Sequence, residues 1–189
     1  MTGLVCLVGL AMALEVSTVF EIGTFNGFTS LTLAMNLPSA TIHTLDLPEG
    51  ATPTLALAPG DSENLGGGRS RVYVGHPEQG RIVQHLDDSA TFNFAPWRGA
   101  CDVVYIDGSH SYDYVASDSR AAREMVAEAG AIVWDDYWRK TPDVVRWLDE
   151  MGDAALYRIL DTRLVVWLSA GAHTKLLARA DASHLQCGP

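Results

Sequence analysis

The sequence predicts a doubly wound α/β sandwich, built on a mostly parallel sheet that closes with an antiparallel C-terminal hairpin strand. Short β-branched apolar runs alternate along the chain with longer segments of helical periodicity, which is typical of parallel strands joined by helices. Right-handed crossovers then place helices on both faces of the sheet. Near the end, two apolar runs at 156–160 and 164–168 are separated only by Asp161-Thr162-Arg163, and such a short polar link predicts a hairpin.

Residues that start or stop regular structure fix the bounds of each element. The predicted strands lie at 18–22, 41–46, 81–86, 101–107 and 131–134, before the hairpin. The predicted helices lie at 3–14, 28–36, 111–128 and 142–151. Gly23 ends the first strand, Pro38 follows the second helix and Gly130 ends the third helix, because glycine and proline interrupt regular backbone.

Two segments fall outside this alternation. Residues 48–80 are rich in Gly, Pro and Ala, include Gly66-Gly67-Gly68, and are too long for an ordinary connection. They form either a flap over a site or a disordered insertion. The tail 169–189 is small and polar, and two alternatives stay open for it: a frayed end or an oligomer contact, such as that of a homodimer.

Composition and charge restrict the partners. The chain has 189 residues, enough for one domain, with 23 Asp or Glu against 13 Lys or Arg and a formal net charge of −10. Nucleic-acid binders usually carry a basic face, so we expect no nucleic acid and no membrane partner, but a small-molecule substrate.

The apolar segment 3–14 is shorter than the ~20 residues that span a bilayer, which predicts a buried helix. The cysteines, Cys6, Cys101 and Cys187, are too few and too widely spaced for a disulfide framework or a zinc site, which predicts a cytoplasmic protein.

The turn after the first strand has the pattern Glu21-x-Gly23-x-x-x-Gly27 and opens a helix. Its glycines allow a ligand to approach the backbone, and the helix N-terminus offers free N–H groups, although glycines in such a turn can also serve packing alone. The pattern lacks the central glycine of the dinucleotide fingerprint. A carboxylate beside the turn repels phosphate and suits an amine or a sulfonium.

Two further sites follow the next strands. Asp46 ends the second strand, where a carboxylate can accept hydrogen bonds from both hydroxyls of a ribose; the alternative is a cap or turn role. Asp88 and Ser89 follow the third strand and could read an adenine edge, although the same residues are common in turns.

The fourth and fifth strands deliver three carboxylates, Asp107, Asp135 and Asp136, to the same predicted edge. Carboxylates brought so close either raise one another's pKa or share a hard cation such as Mg2+, unless one of them only caps the next helix. His110 follows Asp107 closely, and it is a candidate general base, a metal ligand or an N-cap neighbour without chemistry.

Taken together, these motifs resemble class I S-adenosylmethionine-dependent methyltransferases. The resemblance is carried by E-I-G-T-F-N-G-F-T-S, T-I-H-T-L-D-L, D-D-S-A-T-F-N-F, D-V-V-Y-I-D-G-S-H-S-Y-D-Y-V and G-A-I-V-W-D-D-Y. It is similar above all to the small bacterial branch with I-D-G-x-H-x-Y, related to catechol and macrolide-sugar O-methyltransferases. The similarity runs from about 16 to 168 and implies a single Rossmann-like domain over 1–168, with 48–80 as its insertion or flap.

The resemblance also implies roles for individual residues. Glu21, Gly23 and the turn would hold the methionine part of S-adenosylmethionine, Thr29 its carboxylate and Asp46 its ribose. The implied cofactor set comprises Glu21, Gly23, Thr24, Phe25, Asn26, Gly27, Thr29, Asp46, Leu47, Asp88, Ser89, Asp107, Gly108 and His110. The implied catalytic residues are His110, as the base, and Asp107. Asp107, Asp135 and Asp136 would match the metal position.

The expected function is methylation of an oxygen of a small hydroxylated molecule by S-adenosylmethionine, with Mg2+ assistance left open. A second hypothesis is a non-catalytic S-adenosylmethionine-binding module that has lost its substrate lid. A nucleotide-dependent oxidoreductase is a weaker alternative, because Glu21 and the missing glycine oppose it.

Overall fold

The computed structural model describes residues 2–64 and 71–186, and within these ranges the chain forms one mixed sheet. Its strands are β1 (Thr18–Ile22), β2 (Thr41–Asp46), β3 (Ile82–Leu86), β4 (Cys101–Ile106), β5 (Val126–Trp134), β6 (Leu156–Arg158) and β7 (Val165–Leu168). They are ordered β3-β2-β1-β4-β5-β7-β6. Strands β1 to β5 pair in parallel, whereas β7 runs antiparallel to both β5 and β6. The predicted α/β class and the antiparallel hairpin are confirmed.

Helices cover both faces of the sheet, as the doubly wound prediction requires. They are α1 (Thr2–Leu14), α2 (Phe28–Asn36), α3 (Tyr112–Met125), α4 (Pro142–Met151) and α5 (Ala170–Gln186). One apolar core joins the sheet to α1, α2 and α5, and it includes Leu7, Leu33 and Ala172. The other joins the opposite face to α3 and α4, and it includes Met125 and Leu148. Burial of apolar surface on both sides explains why the central strands are nearly continuous apolar runs.

The N-terminal segment forms the predicted helix and buries only one side. Leu7, Ala11 and Leu14 are enclosed, whereas Val5 and Met12 face outward. No helix in the ranges described here is both long enough and apolar enough to cross a bilayer.

The boundary between α3 and β5 differs from the prediction. The helix ends at Met125 rather than at 128, and the strand begins at Val126 rather than at 131. Val126 already pairs with Cys101, and the register then shifts before Val103 pairs with Ala131. Gly130 lies inside this irregular strand, where a Cβ atom would press on the carbonyl of Asp102. This glycine therefore lies in an irregular part of the strand, where residues 127–130 stand opposite Asp102 alone, instead of ending a helix.

The C-terminal tail is helical rather than frayed between Ala170 and Gln186. Lys175 and Arg179 of α5 donate to the last carbonyls of α1, those of Met12, Ala13 and Leu14. Cations at a helix C-terminus satisfy carbonyls that the helix itself leaves unpaired. The frayed-end alternative is therefore wrong for this segment, and the oligomer contact stays a prediction. Cys187 lies outside the described residues.

The segment expected as a flap or an insertion is described over 48–64 and 71–80, and Gly66-Gly67-Gly68 lies outside the described residues. Residues 48–64, named the covering segment below, end in a short 3-10 helix at Asp61–Asn64. A second 3-10 helix, Pro77–Arg81, leads directly into β3. The covering segment is tied to the rest of the protein by the contacts described next.

Candidate active site

A cavity of about 430 Å³ lies at the carboxyl ends of β1, β2 and β4. This is where the strand order reverses, since the chain turns from β1 to β2 on one side and later places β4 on the other. Ligands of open α/β sheets bind at such a point. The predicted residues that line the cavity are Gly23, Phe25, Asp46, Leu47, Asp88, Ser89, Asp107, Gly108, His110 and Asp136.

The other predicted residues, Glu21, Thr24, Asn26, Gly27, Thr29 and Asp135, are not part of this lining. Glu21 shows the reason most clearly, because its side chain is only 1% exposed. Its carboxylate accepts hydrogen bonds from the hydroxyls of Ser30 and Thr44, the latter at 2.6 Å. Burial raises the pKa of Glu21 to about 7. The structure thus places Glu21 behind the cavity, where it ties β1 to α2 and β2.

The glycines of the first turn allow neighbouring strand ends to meet. Gly23 has φ +99, and a Cβ atom there would overlap the backbone carbonyl of Asp107. The same two strands are joined by a hydrogen bond from the N–H of Asp107 to the carbonyl of Ile22 at 2.8 Å. Gly27 has φ +76 and lies against the ring of Tyr73. Both positions need glycine for backbone geometry, and Gly23 is also one of the residues that line the cavity.

Asp46, the predicted ribose ligand, is paired with Arg71. Both side chains are largely shielded from solvent, at 25% and 19% exposure. Burial raises the pKa of Asp46, and the Arg71 guanidinium opposes that rise. Sequence reasoning missed Arg71, because it lies in the irregular stretch before β3, where no periodic pattern predicts its direction.

Asp88 fastens the covering segment to the cavity wall. Its carboxylate accepts hydrogen bonds from the N–H groups of Thr54 at 2.6 Å and Ala90 at 2.9 Å, and from the Tyr114 hydroxyl at 2.9 Å. Burial alone would raise the pKa of Asp88, but these donors hold that pKa below its usual value. A carboxylate with so many fixed donors has a set orientation at the cavity.

His110 lies between two carboxylates. Its Nδ1 is 2.6 Å from Asp61 Oδ1, and its Nε2 is 2.7 Å from Asp136 Oδ2. These two hydrogen bonds raise the pKa of His110 to about 10. A histidine that is already protonated at neutral pH cannot take up another proton. The geometry therefore argues against His110 as the general base, and the prediction missed Asp61, its partner from the covering segment.

The carboxylates at the ends of β4 and β5 have partners that the sequence reasoning did not identify. The Tyr105 hydroxyl lies 3.2 Å from Asp107 Oδ2 and 2.9 Å from Asp135 Oδ2. Arg163 forms ion pairs with Asp135 Oδ1 at 3.5 Å and with Asp136 Oδ1 at 2.6 Å. Burial and the neighbouring carboxylates raise the pKa of Asp107 well above its usual value.

These pairings do not support the metal site predicted at Asp107, Asp135 and Asp136. Within the described part of the chain, no group of three or more His, Cys, Asp or Glu side chains is arranged to hold a metal ion. Arg163 occupies the space beside both β5 carboxylates, and His110 takes the second oxygen of Asp136. Mg2+ would need those oxygens at about 2.1 Å. The residues present do not fit it.

Arg163 could have been found from the sequence through the hairpin. Val165 pairs with Trp134 across the antiparallel β5 and β7, so the turn before Val165 lies beside the residues that follow Trp134. The hairpin was predicted from its apolar runs, but its register was not. That register brings Arg163 to the cavity.

Comparison with known proteins agrees with the α/β fold described above and identifies a family. The family described as "Methyltransferase domain" matches residues 20–137. No curated protein matches the chain.

Among solved structures, a suggested caffeoyl-CoA O-methyltransferase from Staphylococcus aureus is 11% identical, with a TM-score of 0.67 over 90% of this chain and 84% of its own. A suggested O-methyltransferase from Klebsiella pneumoniae is 16% identical, with a TM-score of 0.63 over 89% and 80%. An SAH-bound methyltransferase from Podospora anserina is 12% identical, with a TM-score of 0.61 over 87% and 76%. At these identities the similarity establishes a shared fold.

Proposed function

Because the chain belongs to the family of methyltransferase domains, we propose that it transfers the methyl group of S-adenosylmethionine to an oxygen of a small hydroxylated molecule. The observation that carries this proposal is the cavity at the reversal of strand order, which is lined by Gly23, Asp46, Asp88 and Asp107. The family model spans the turn after β1 and the carboxylates that follow β4 and β5, so the matched region contains most of the cavity.

The lining suits S-adenosylmethionine as a ligand. Asp46 lines the cavity at the end of β2, and we propose that its carboxylate accepts hydrogen bonds from the ribose hydroxyls. Asp88 and Ser89 also line the cavity, and we propose that they contact the adenine. The lining is rich in carboxylates and therefore favours a ligand that carries positive charge. The SAH-bound relative from Podospora anserina supports the same cofactor.

When bound, S-adenosylmethionine would supply a methyl group carried on a positively charged sulfur, and its product would be a neutral thioether. The residues of this chain hold the two partners in line and exclude water, which is the main source of rate enhancement in such a transfer. Asp107 is the group placed to take the hydroxyl proton at its carboxylate. It lines the cavity, and it can take that proton only when it is ionised; because burial and the neighbouring carboxylates raise its pKa well above the usual value, we expect methyl transfer to become faster as the pH rises.

Calorimetry with S-adenosylhomocysteine, the demethylated product, tests the cofactor part. We expect wild-type binding, and at least a tenfold loss of affinity in Asp46→Asn, since a charged acceptor becomes a neutral one. Glu128→Gln is the matched control, because Glu128 is exposed and lies on β5 away from the cavity. A folded wild-type protein that binds neither S-adenosylmethionine nor its product would refute the proposal.

Transfer of labelled methyl groups to a panel of hydroxylated acceptors tests the chemical part. We expect label on an oxygen of at least one acceptor. Tight cofactor binding without transfer to any acceptor would instead favour the non-catalytic binding module. The covering segment bears on that alternative, because its Leu57 and Asp61 line the cavity.

A further inference from the structure

Arg163 is fixed at the end of β5 by its backbone and its side chain. Its carbonyl accepts the N–H of Tyr137 at 2.9 Å, which attaches the hairpin turn to the residues after β5. Its guanidinium carbon lies 5.6 Å from the centre of the Trp138 ring, and its Nε and Nη1 face Asp135 and Asp136. The side chain is therefore held in one place by an aromatic face and two carboxylates.

The two oxygens of Asp136 both face cationic side chains of the protein. Arg163 Nη1 lies 2.6 Å from Oδ1, and His110 Nε2 lies 2.7 Å from Oδ2. A divalent ion at this position would have to displace the guanidinium and would be repelled by it. The positive charge at this end of the sheet thus comes from the chain itself.

Part of the guanidinium is available to a ligand. Arg163 lines the cavity, and its side chain is half exposed. Nε and Nη1 lie within ion-pair distance of the carboxylates, although the Nη1 contact is not aligned as a hydrogen bond and leaves Asp136 Oδ1 without a hydrogen-bond partner among the described residues; Nη2 forms no ion pair with them. Nη2 carries two N–H donors, and a guanidinium keeps its charge at every physiological pH.

We propose that Arg163 takes the place of a divalent metal in this protein, neutralising the carboxylates after β5 and stabilising the acceptor oxygen as it loses its proton. The Nη2 donors bind that oxygen, and fixed donors aimed at a developing negative charge are a strong source of catalysis. This second role rests on the proposed methyl transfer. The exclusion of a metal ion does not, and a binding experiment tests it separately.

Binding of Mn2+, followed by electron paramagnetic resonance, tests the exclusion. We expect wild-type protein to leave Mn2+ free, and Arg163→Ala to bind it through the exposed carboxylates. Asp136→Asn added to Arg163→Ala should abolish that binding. Arg158→Ala is the matched control, because Arg158 lies on β6 of the same hairpin and is exposed above the Tyr137 ring. Wild-type binding of Mn2+ that Asp136→Asn removes would overturn the inference, and so would the absence of any gain in Arg163→Ala.

Kinetics with an identified acceptor test the catalytic role. We expect wild-type turnover to survive chelation, and Arg163→Ala to lower kcat roughly 100-fold, as removal of a single fixed donor does elsewhere. Its affinity for S-adenosylhomocysteine should stay unchanged, and guanidinium added to the solution should restore part of the rate. Loss of wild-type activity on chelation, or an Arg163→Ala rate equal to that of Arg158→Ala, would overturn this role. If the wild type fails to bind the cofactor, the proposed function fails, but the Mn2+ result still stands.

Discussion

Asp61 and His110 join the covering segment to the start of α3 through two hydrogen bonds. The Asp61 carboxylate lies 2.6 Å from His110 Nδ1 and accepts the His110 backbone N–H at 2.8 Å. The Ser109 hydroxyl adds a third bond at 2.7 Å. Together with the bond from Thr54 to Asp88, this contact holds residues 48–64 over the cavity. The choice between a mobile flap and a disordered insertion for residues 48–80 stays a prediction.

Asp61→Asn should loosen the covering segment. The variant loses the charge that strengthens the bonds to His110, and hydrogen bonds to charged groups contribute roughly 1.5–3 kcal/mol. We therefore expect amide exchange in residues 48–64 to become about 10–100 times faster, as measured by mass spectrometry. Asp113→Asn, an exposed change in the first turn of α3, serves as the control. Equal exchange in the two variants would contradict this role of Asp61.

The protonation of His110 can be observed directly. Because its pKa is raised on folding from 6.5 to about 10, its pairing with Asp61 and Asp136 stabilises the protein fully below pH 6.5, and this stabilisation is lost as the pH rises through 10. Nitrogen NMR of the imidazoles should show a protonated His110 at pH 8. His43 is the internal contrast, since burial and His85 lower its pKa. A neutral His110 at pH 7 would contradict the assignment and restore it as a candidate base.

Replacement of Asp118 should stabilise the protein at high pH. Its side chain is 1% exposed, both carboxylate oxygens lack a well-aligned partner among the described residues, and burial raises its pKa from 3.8 to about 7. The folded protein therefore keeps a proton that the unfolded chain loses, so this group lowers stability as the pH rises from about 4 to about 7, and its effect levels off above that. Asp118→Asn should raise Tm more at pH 8 than at pH 5, as followed by circular dichroism. Glu128→Gln should show no such difference, and an equal shift at both pH values in Asp118→Asn would refute the prediction.

We expect Gly23→Ala to lower the free energy of unfolding far more than an alanine substitution at another glycine with a positive φ. Gly99 also has a positive φ, of +64, but a Cβ atom there meets nothing within 4 Å. We expect Gly99→Ala to cost about 1–2 kcal/mol of unfolding free energy, from backbone strain alone. Gly23→Ala should cost roughly 2–5 kcal/mol, because overlap with the Asp107 carbonyl is added. Urea unfolding measures the free energy of unfolding of both variants. Similar losses in the two would show that β1 and β4 can move apart at little energetic cost.

The sheet could be predicted from the sequence because its signals are local. The strand 18–22 and the helices 28–36 and 142–151 have the predicted bounds, since each combines a clear period with a glycine or proline nearby. Local signals failed at Gly130, where a glycine typical of a helix end lies inside a strand with an irregular register. Pairing with Cys101, a tertiary effect, determined that boundary.

The site was predicted only in part. The rule that parallel strands end at one edge placed Asp46, Asp107 and Asp136 around one cavity, as observed. The cations Arg71 and Arg163 were missed, because they lie on irregular backbone or in a turn, where no periodicity indicates a direction. In the structure the carboxylates of the expected metal cluster form ion pairs, and the expected base, His110, lies between two carboxylates that raise its pKa to about 10.

The hairpin that closes the sheet has a consequence for how this protein can change over evolution. The family model ends at residue 137, whereas Arg163 lies in the turn that follows it by a whole helix and a strand. Residues 20–137, which match the family, and Arg163, which we propose contacts the acceptor, thus belong to separate stretches of the chain. If Arg163 contacts the acceptor as proposed, substitutions in the turn between β6 and β7 would change acceptor preference while leaving residues 20–137 unaltered.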